Sequence, residues 1–310
     1  MKKPLIRAVN LSKWYGEVIG LNSFNMEVNH GITGIVGPNG SGKSTMFKLI
    51  IGMIKANKGQ LYVMGEKPWL NSELSGKIGF CPDYDNLPND ATGNEFLQLV
   101  GGLHGMKDIH LKTRIKECSE TVGIDYALDR KIGGYSKGMR QRIKVAGAIL
   151  HDPDLLLLDE PLSGADPQAR RSLIEVIKTL HGERGHDIIV SSHVLFEVER
   201  MTRDVVLIYK GRAVASGDIS EIRNLIDKHP HNIIVEGSGM VELGKKLLEA
   251  DYTVSVSFDG SKNRLRVEVT RPDEFFNMVP RMVLGIGGDI KEMYSLDDNL
   301  EAVFKYLVGR

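Results

Sequence analysis

The chain has 310 residues, enough for two domains that each bury a core of their own. Hydrophobic residues make up 42% and charged residues 26%, which excludes a fibre and long disordered tails. Lysine plus arginine and aspartate plus glutamate balance at 40 each, so no global field draws the protein to nucleic acid or anionic lipid, and no nucleic-acid partner is expected.

The amino terminus, MKKPLIRAVN, lacks the apolar segment of a signal peptide. FNMEV at 24–28 alternates apolar and polar residues, and the turn NHG separates it from ITGIVG at 32–37, a short buried strand. The loop GPNGSGKST follows, then MFKLIIGMI, an apolar stretch that fits a helix buried on most sides. Residues 85–150 read as mostly helical, with NEFLQLVGGLHGM and LKTRIKECSETVGI the clearest segments. DLLLLDE is a buried strand, after which Asp166 caps a helix with Pro167 at its first position and Leu173, Ile174, Ile177 and Leu180 on its apolar face. DIIVSSH gives another buried strand, and DVVLIYKGRAVASG a hairpin turning at Lys210-Gly211. Such alternation predicts a mostly parallel sheet covered by helices.

Composition shifts near residue 225. From there the order is strand (HNIIVEG), helix at 239–249, strand at 252–258, a turn at Asp259-Gly260, strand at 264–269, helix at 272–283, strand near 289–294 and a final helix. That is the β-α-β-β-α-β order of a small ferredoxin-like α+β domain, placed at 226–310 behind a first domain at 1–225. Cys81 and Cys118 have neither metal-ligand spacing nor the number for a disulfide framework, which fits a reducing compartment. The longest apolar runs, such as VVLIY at 205–209, fall far short of the roughly 18 residues of a membrane helix.

Two motifs carry chemistry. Gly37, Gly42, Lys43 and Ser44 satisfy G-x-x-x-x-G-K-[S/T], and the whole loop runs Gly37, Pro38, Asn39, Gly40, Ser41, Gly42, Lys43, Ser44, Thr45. Phosphates need several N–H donors at once; glycines let the backbone wrap close, and the following helix turns its positive end on the same anion. Lys43 is expected to reach the β- and γ-phosphates of a nucleotide and the Ser44 hydroxyl to ligate Mg²⁺. The second motif is LLLLDE, whose Asp159 and Glu160 end a buried strand. Carboxylates there are costly to desolvate without a cation, so Asp159 is assigned to Mg²⁺ and Glu160 to polarising the attacking water.

Taken together, these motifs resemble the ATP-binding-cassette family over residues 5 to about 217. The resemblance implies a P-loop NTPase fold with an antiparallel N-terminal sheet portion and a helical subdomain at about 85–150. YSKGMRQR at 135–142 stands where that family carries its signature loop, so Ser136, Lys137, Gly138 and Met139 are expected to close over the ATP of a second cassette in a head-to-tail dimer. Lys137 departs from the commoner glycine. Met139, Ile143, Ala146 and Leu150 keep one face of that helix buried. LSKWYG resembles the cassette's start, whose aromatic stacks on adenine. This nominates Tyr15, with Trp14 as a packing residue, although stacking chemistry does not separate the two. Ser163, Gly164, Ala165 and Asp166 resemble the loop that links the two sites, and His193 the histidine that senses the γ-phosphate. Asp83 stands where the family presents a glutamine, and is expected to face the metal.

By the same resemblance the chain is the ATPase subunit of an exporter. It would be cytoplasmic and peripheral on the inner face of the cell membrane through a separate integral-membrane permease, docked between the glycine-loop core and the helices around 85–130. SLDDNLEAVFKYLVGR resembles the end of cassettes that serve type-2 exporters. The alternatives are a non-transport cassette ATPase acting on ribosomes or DNA, and a regulatory module that binds nucleotide without turnover.

Overall fold

The computed structural model describes residues 3–219, 221–222, 230–260 and 263–296. The chain divides into two compact units, Met1–Asp218 and Ile219–Arg310, a division ahead of the composition shift near residue 225.

The first unit opens with β1 (Ile6–Tyr15) and β2 (Val18–Val28), then β3 (Ile32–Val36), α1 (Lys43–Ile50) and β4 (Lys58–Val63). Strands β2, β1 and β4 form an antiparallel sheet in that order, with buried cross-strand pairs Ile6–Val28, Ala8–Met26 and Leu11–Phe24. The sequence reading assigned neither β1 nor β4. In β1 the register against β2 shifts between Ala8 and Leu11, between Leu11 and Lys13 and between Lys13 and Trp14, and Asn10 takes φ 47°, so the alternation that marks a strand is broken repeatedly. Helix α1 ends at Ile50, short of the apolar run that predicted it. Gly52 stops it at φ +71°, where a Cβ would lie 2.2 Å from the Pro68 carbonyl oxygen.

Next come α2 (Ser72–Gly76), β5 (Ile78–Cys81), α3 (Gly93–Leu103), α4 (Asp108–Val122) and α5 (Lys137–Ile149). Thr92 and Glu95 close a capping box at the start of α3, and Gly123 ends α4 in the left-handed region. The unit finishes with β6 (Leu155–Leu158), α6 (Pro167–Gly182), β7 (Asp187–Ser192), α7 (Leu195–Glu199), β8 (Asp204–Tyr209) and β9 (Arg212–Asp218). The six-stranded sheet runs β5-β6-β7-β3-β8-β9, parallel except for the β8–β9 hairpin. All four leucines of β6 are fully buried, as a strand covered on both faces requires. Leu157, Ile189, Ile35 and Val206 join Met46, Phe47 and Ile50 of α1 and the inner residues of the antiparallel sheet in one core. Each such side chain contributes about 1.5–3 kcal/mol. This core holds the carboxyl ends of β3, β6 and β7 side by side, which is where an open parallel sheet presents its crevice.

In the second unit, β10 (His231–Ser238), α8 (Met240–Leu247), β11 (Thr253–Asp259), β12 (Arg264–Val269), α9 (Pro272–Gly285) and β13 (Asp289–Ser295) follow the expected order. Its sheet is wholly antiparallel, β11-β12-β10-β13, the ferredoxin-like arrangement. Ile233, Val235, Leu265 and Val267 pack against Leu243, Leu247, Phe275 and Val279 of the two helices. The expected final helix lies outside the described residues.

Candidate active site

Strand β3 delivers the chain into the glycine loop. Gly37 N–H donates to the Ser192 carbonyl at 3.2 Å, and a Cβ on Gly37 would sit 2.2 Å from the Ile208 carbonyl oxygen, so only glycine fits there. Gly40 and Gly42 take φ +76° and +112°, and Gly42 leads directly into α1. The loop wraps one side of a cleft of about 370 Å³ lined by Asn39 through Thr45, with Tyr15, Val18, Ile19, Gly20, Asp83 and Glu160 on the other sides. Pro38 and Gly37 stand behind the lining, where their carbonyls accept from Lys43 Nζ at 3.3 and 2.7 Å. Tyr15 is exposed at the cleft with the Lys13 ammonium 5.4 Å from its ring centroid. Trp14 does not line the cleft and has the Lys58 ammonium over its own ring.

Across the cleft, the end of β6 presents the carboxylates. Asp159 is buried; its Oδ1 accepts from Ser191 Oγ at 2.6 Å. Burial pushes its carboxyl above the usual range, hydrogen bonds from Ser191 and Ser44 pull it down, and the charges of Asp83 and Glu160 push it up again. Glu160 occupies φ 47°, a left-handed conformation uncommon for a glutamate and held here by its N–H bond to Ser191 Oγ at 2.8 Å. Its Oε1 lies 3.1 Å from Lys43 Nζ and its Oε2 lies 2.8 Å from His193 Nδ1. Oε1 is buried and has the Lys43 ion pair but no well-directed hydrogen bond. Asp83, by contrast, is exposed at the cleft.

The two loops expected to act on a second copy lie outside the cleft lining. Ser136 caps α5 by accepting from Met139 N–H at 3.3 Å, and Asp166 caps α6 by accepting from the N–H groups of Gln168 and Ala169. Ser136, Lys137, Gly164 and Asp166 are exposed, while Gly138, Met139, Ser163 and Ala165 are half-buried. The loops touch each other within the chain: a Cβ on Gly164 would collide with the Lys137 ammonium.

A second cavity, a groove of about 340 Å³, lies between β5 and helices α3 and α5. Phe80, Tyr84, Leu87, Phe96, Val100, Lys144 and two histidines line it. His104 and His151 stack with ring centroids 3.8 Å apart and planes at 7°. Burial pushes His104 down, and burial reinforced by the His104 charge pushes His151 down to about 4.

The sequence reading missed Ser191, which bridges both carboxylate residues. It also missed Gly20, where a Cβ would come within 3.1 Å of Tyr15 and Thr45 side-chain atoms. Ser191 had a signal in principle. It lies in the strand paired with LLLL, one residue past the Leu158–Val190 pair.

A model of the family described as ABC transporter matches residues 21–163. The Nod factor export ATP-binding protein I of Cupriavidus metallidurans is 32% identical, over 70% of this chain and 72% of that protein. The bacitracin transport ATP-binding protein BcrA of Enterococcus faecalis is 29% identical over 98% of this chain and 96% of its own length. A bacterial ABC transporter cassette solved as a dimer is 26% identical with a TM-score of 0.64, covering 69% of this chain and 98% of that one. The two relatives are named for transport and export, and neither name points to ribosomes or DNA. An ATP-binding fold that brings its glycine loop and carboxylates into one cleft thus meets matching relatives, and the chain belongs to the ABC transporter family as a nucleotide-binding ATPase subunit.

Proposed function

We propose that this chain hydrolyses MgATP to drive an exporter, working as one of two cassettes that close head to tail against an integral-membrane permease. The observation that carries the reading is the contact set of Glu160, a residue of the cleft lining whose carboxylate bridges the phosphate-loop lysine Lys43 and His193. Glu160 is the general base for the attacking water, and His193, donating from Nδ1, fixes the carboxylate's orientation. Lys43 and the loop N–H groups from Asn39 to Thr45 hold the phosphates, and Tyr15 receives the adenine.

Ser44, Asp159 and Asp83 supply hard oxygen donors that suit Mg²⁺. Among the described residues no group of three or more His, Cys, Asp and Glu forms a metal site by itself. When bound, the ion supplies charge neutralisation at the β- and γ-oxygens. The raised carboxyl of Asp159 supports this role, because a nearby divalent charge would offset the cost of its burial.

Ser136 to Met139 act on the ATP of the partner copy, and Ser163 to Asp166 link the two sites. The exposure of Ser136, Lys137, Gly164 and Asp166 outside their own cleft supports that reading, as does the dimeric form of a related cassette. The groove between β5 and α3/α5 receives the permease, and through that contact the chain sits at the inner membrane face. The relative named for export supports the direction. Residues 226–310 form an accessory domain, and the likeness to the Enterococcus protein, which runs over nearly the whole chain, supports its belonging to the transport ATPase.

Mixed pairs test the arrangement in the presence of permease. A Lys43→Ala copy joined to a Gly138→Asp copy should trap nucleotide at one site, because both lesions fall in the other. A copy carrying both lesions joined to an intact copy should trap none. The reverse pattern would mean that each loop serves its own chain.

A further inference from the structure

Lys144 sits in α5 at 8% exposure, with hydrogen-bond partners that are all backbone carbonyls. An ammonium is costly to bury unless hydrogen bonds replace its water. Its Nζ donates to the carbonyls of Pro82, Asp83 and Tyr84 at 2.8, 3.4 and 3.5 Å. Three consecutive carbonyls drawn to one cation fix the path of the chain as it leaves β5. Arg140, one turn earlier on the same face of α5, continues the grip: Nε donates to Asp85 Oδ2 at 2.5 Å and Nη1 to Asn89 Oδ1 at 3.0 Å. Residues 82–84 also form a partition. The Asp83 side faces the nucleotide cleft, whereas Pro82, Tyr84 and Lys144 line the groove.

We infer that Lys144 is a positioning residue for Asp83, setting from the groove side where that carboxylate stands in the nucleotide cleft. The inference rests on the reading of Asp83 as metal-facing. The helix that begins with the Ser136–Met139 loop is thereby bolted to the segment that addresses the chain's own magnesium. A side chain that orients a metal-facing group from behind acts as an outer-shell support, and its loss weakens metal affinity without removing a ligand.

The test uses the full chain. Lys144→Met keeps the length of the side chain and removes the ammonium, and Lys144→Arg restores a cation. In Lys144→Met, hydrogen exchange at the amides of residues 83–85 should accelerate, and the Mg²⁺ concentration for half-maximal ATPase should rise about tenfold. Lys144→Arg should recover part of both. In an Asp83→Asn background, Lys144→Met should cause no further change in Mg²⁺ dependence, although the exchange effect persists. Should Lys144→Met fold poorly, Lys144→Gln provides the same comparison with fewer donors. Unchanged exchange, unchanged Mg²⁺ dependence, or Mg²⁺ effects that add with those of Asp83→Asn each overturn the inference. If Asp83→Asn alone leaves Mg²⁺ dependence at the parent value, the reading of Asp83 fails, and this inference falls with it. If only the Lys144 variants are silent, this inference alone fails.

Discussion

Replacing Ser191 by alanine removes one hydroxyl that serves two site residues at once. Its Oγ donates to Asp159 Oδ1 at 2.6 Å and accepts from Glu160 N–H at 2.8 Å, and the residue is fully buried. A hydrogen bond to a charged group is worth about 1.5–3 kcal/mol, and a buried N–H left without a partner costs about 1–3 kcal/mol. Ser191→Ala should therefore destabilise the nucleotide-free protein by about 3 kcal/mol, which for a unit of this size lowers Tm by about 6–12 °C. Catalysis should suffer beyond stability, because the lost bond is the one that holds Glu160 in its left-handed conformation. A displaced base costs kcat about 10²-fold.

The pH dependence gives a second signature of the same substitution. Ser191 is the strongest influence pulling the Asp159 carboxyl down against its burial, so without it that carboxyl rises further. A carboxyl whose folded value lies above its unfolded value of about 3.9 favours folding below that value and loses the contribution as pH rises through the folded value. The variant should therefore stand closest to its parent in acid and fall furthest behind near neutrality. Calorimetric Tm at several pH values and steady-state phosphate release measure both effects. A neutral-pH Tm within about one degree of the parent, with parental kcat, would refute the assignment of Ser191 as the common support.

Glu160→Gln preserves shape and removes the base, so phosphate release should fall about 10³-fold while bound ATP is retained on filtration. Burial pushes the Cys81 and Cys118 thiols up to about 12 and about 11. Native protein at mildly alkaline pH should thus react with a maleimide far more slowly than denatured protein, with both thiols labelled only after unfolding. His151 is pushed down to about 4, first by burial and then by His104, with Arg114 and Asp152 as further charges nearby. Its neutral ring favours folding above the unfolded value of about 6.5, and that contribution drains away as pH falls toward about 4. His151→Phe should flatten the Tm–pH curve across that window, and a curve parallel to the parent's would contradict the burial of the pair.

The features legible in the sequence are those whose partners have a type. The glycine spacing of residues 37–42 reads as a phosphate loop because close backbone approach tolerates no Cβ, and the structure shows the Ile208 carbonyl where such a Cβ would go. The cap at Asp166 reads for the same reason, since it serves its own next turn. Strand β1 did not read, because its three register shifts against β2 interrupt the period of two on which recognition depends. Ser191 carries meaning only once β6 and β7 are neighbours, a pairing that local pattern does not give. Lys144 lies deeper still: its shortest bond is to a carbonyl 62 residues earlier, and every residue has a carbonyl. A cation that acts on a motif can be found by its motif, whereas a cation that acts on backbone has no partner residue type to search for. Within a helix face that reads as buried, a charged residue is therefore the signal itself, since burial without a visible counter-charge requires backbone acceptors to converge on it.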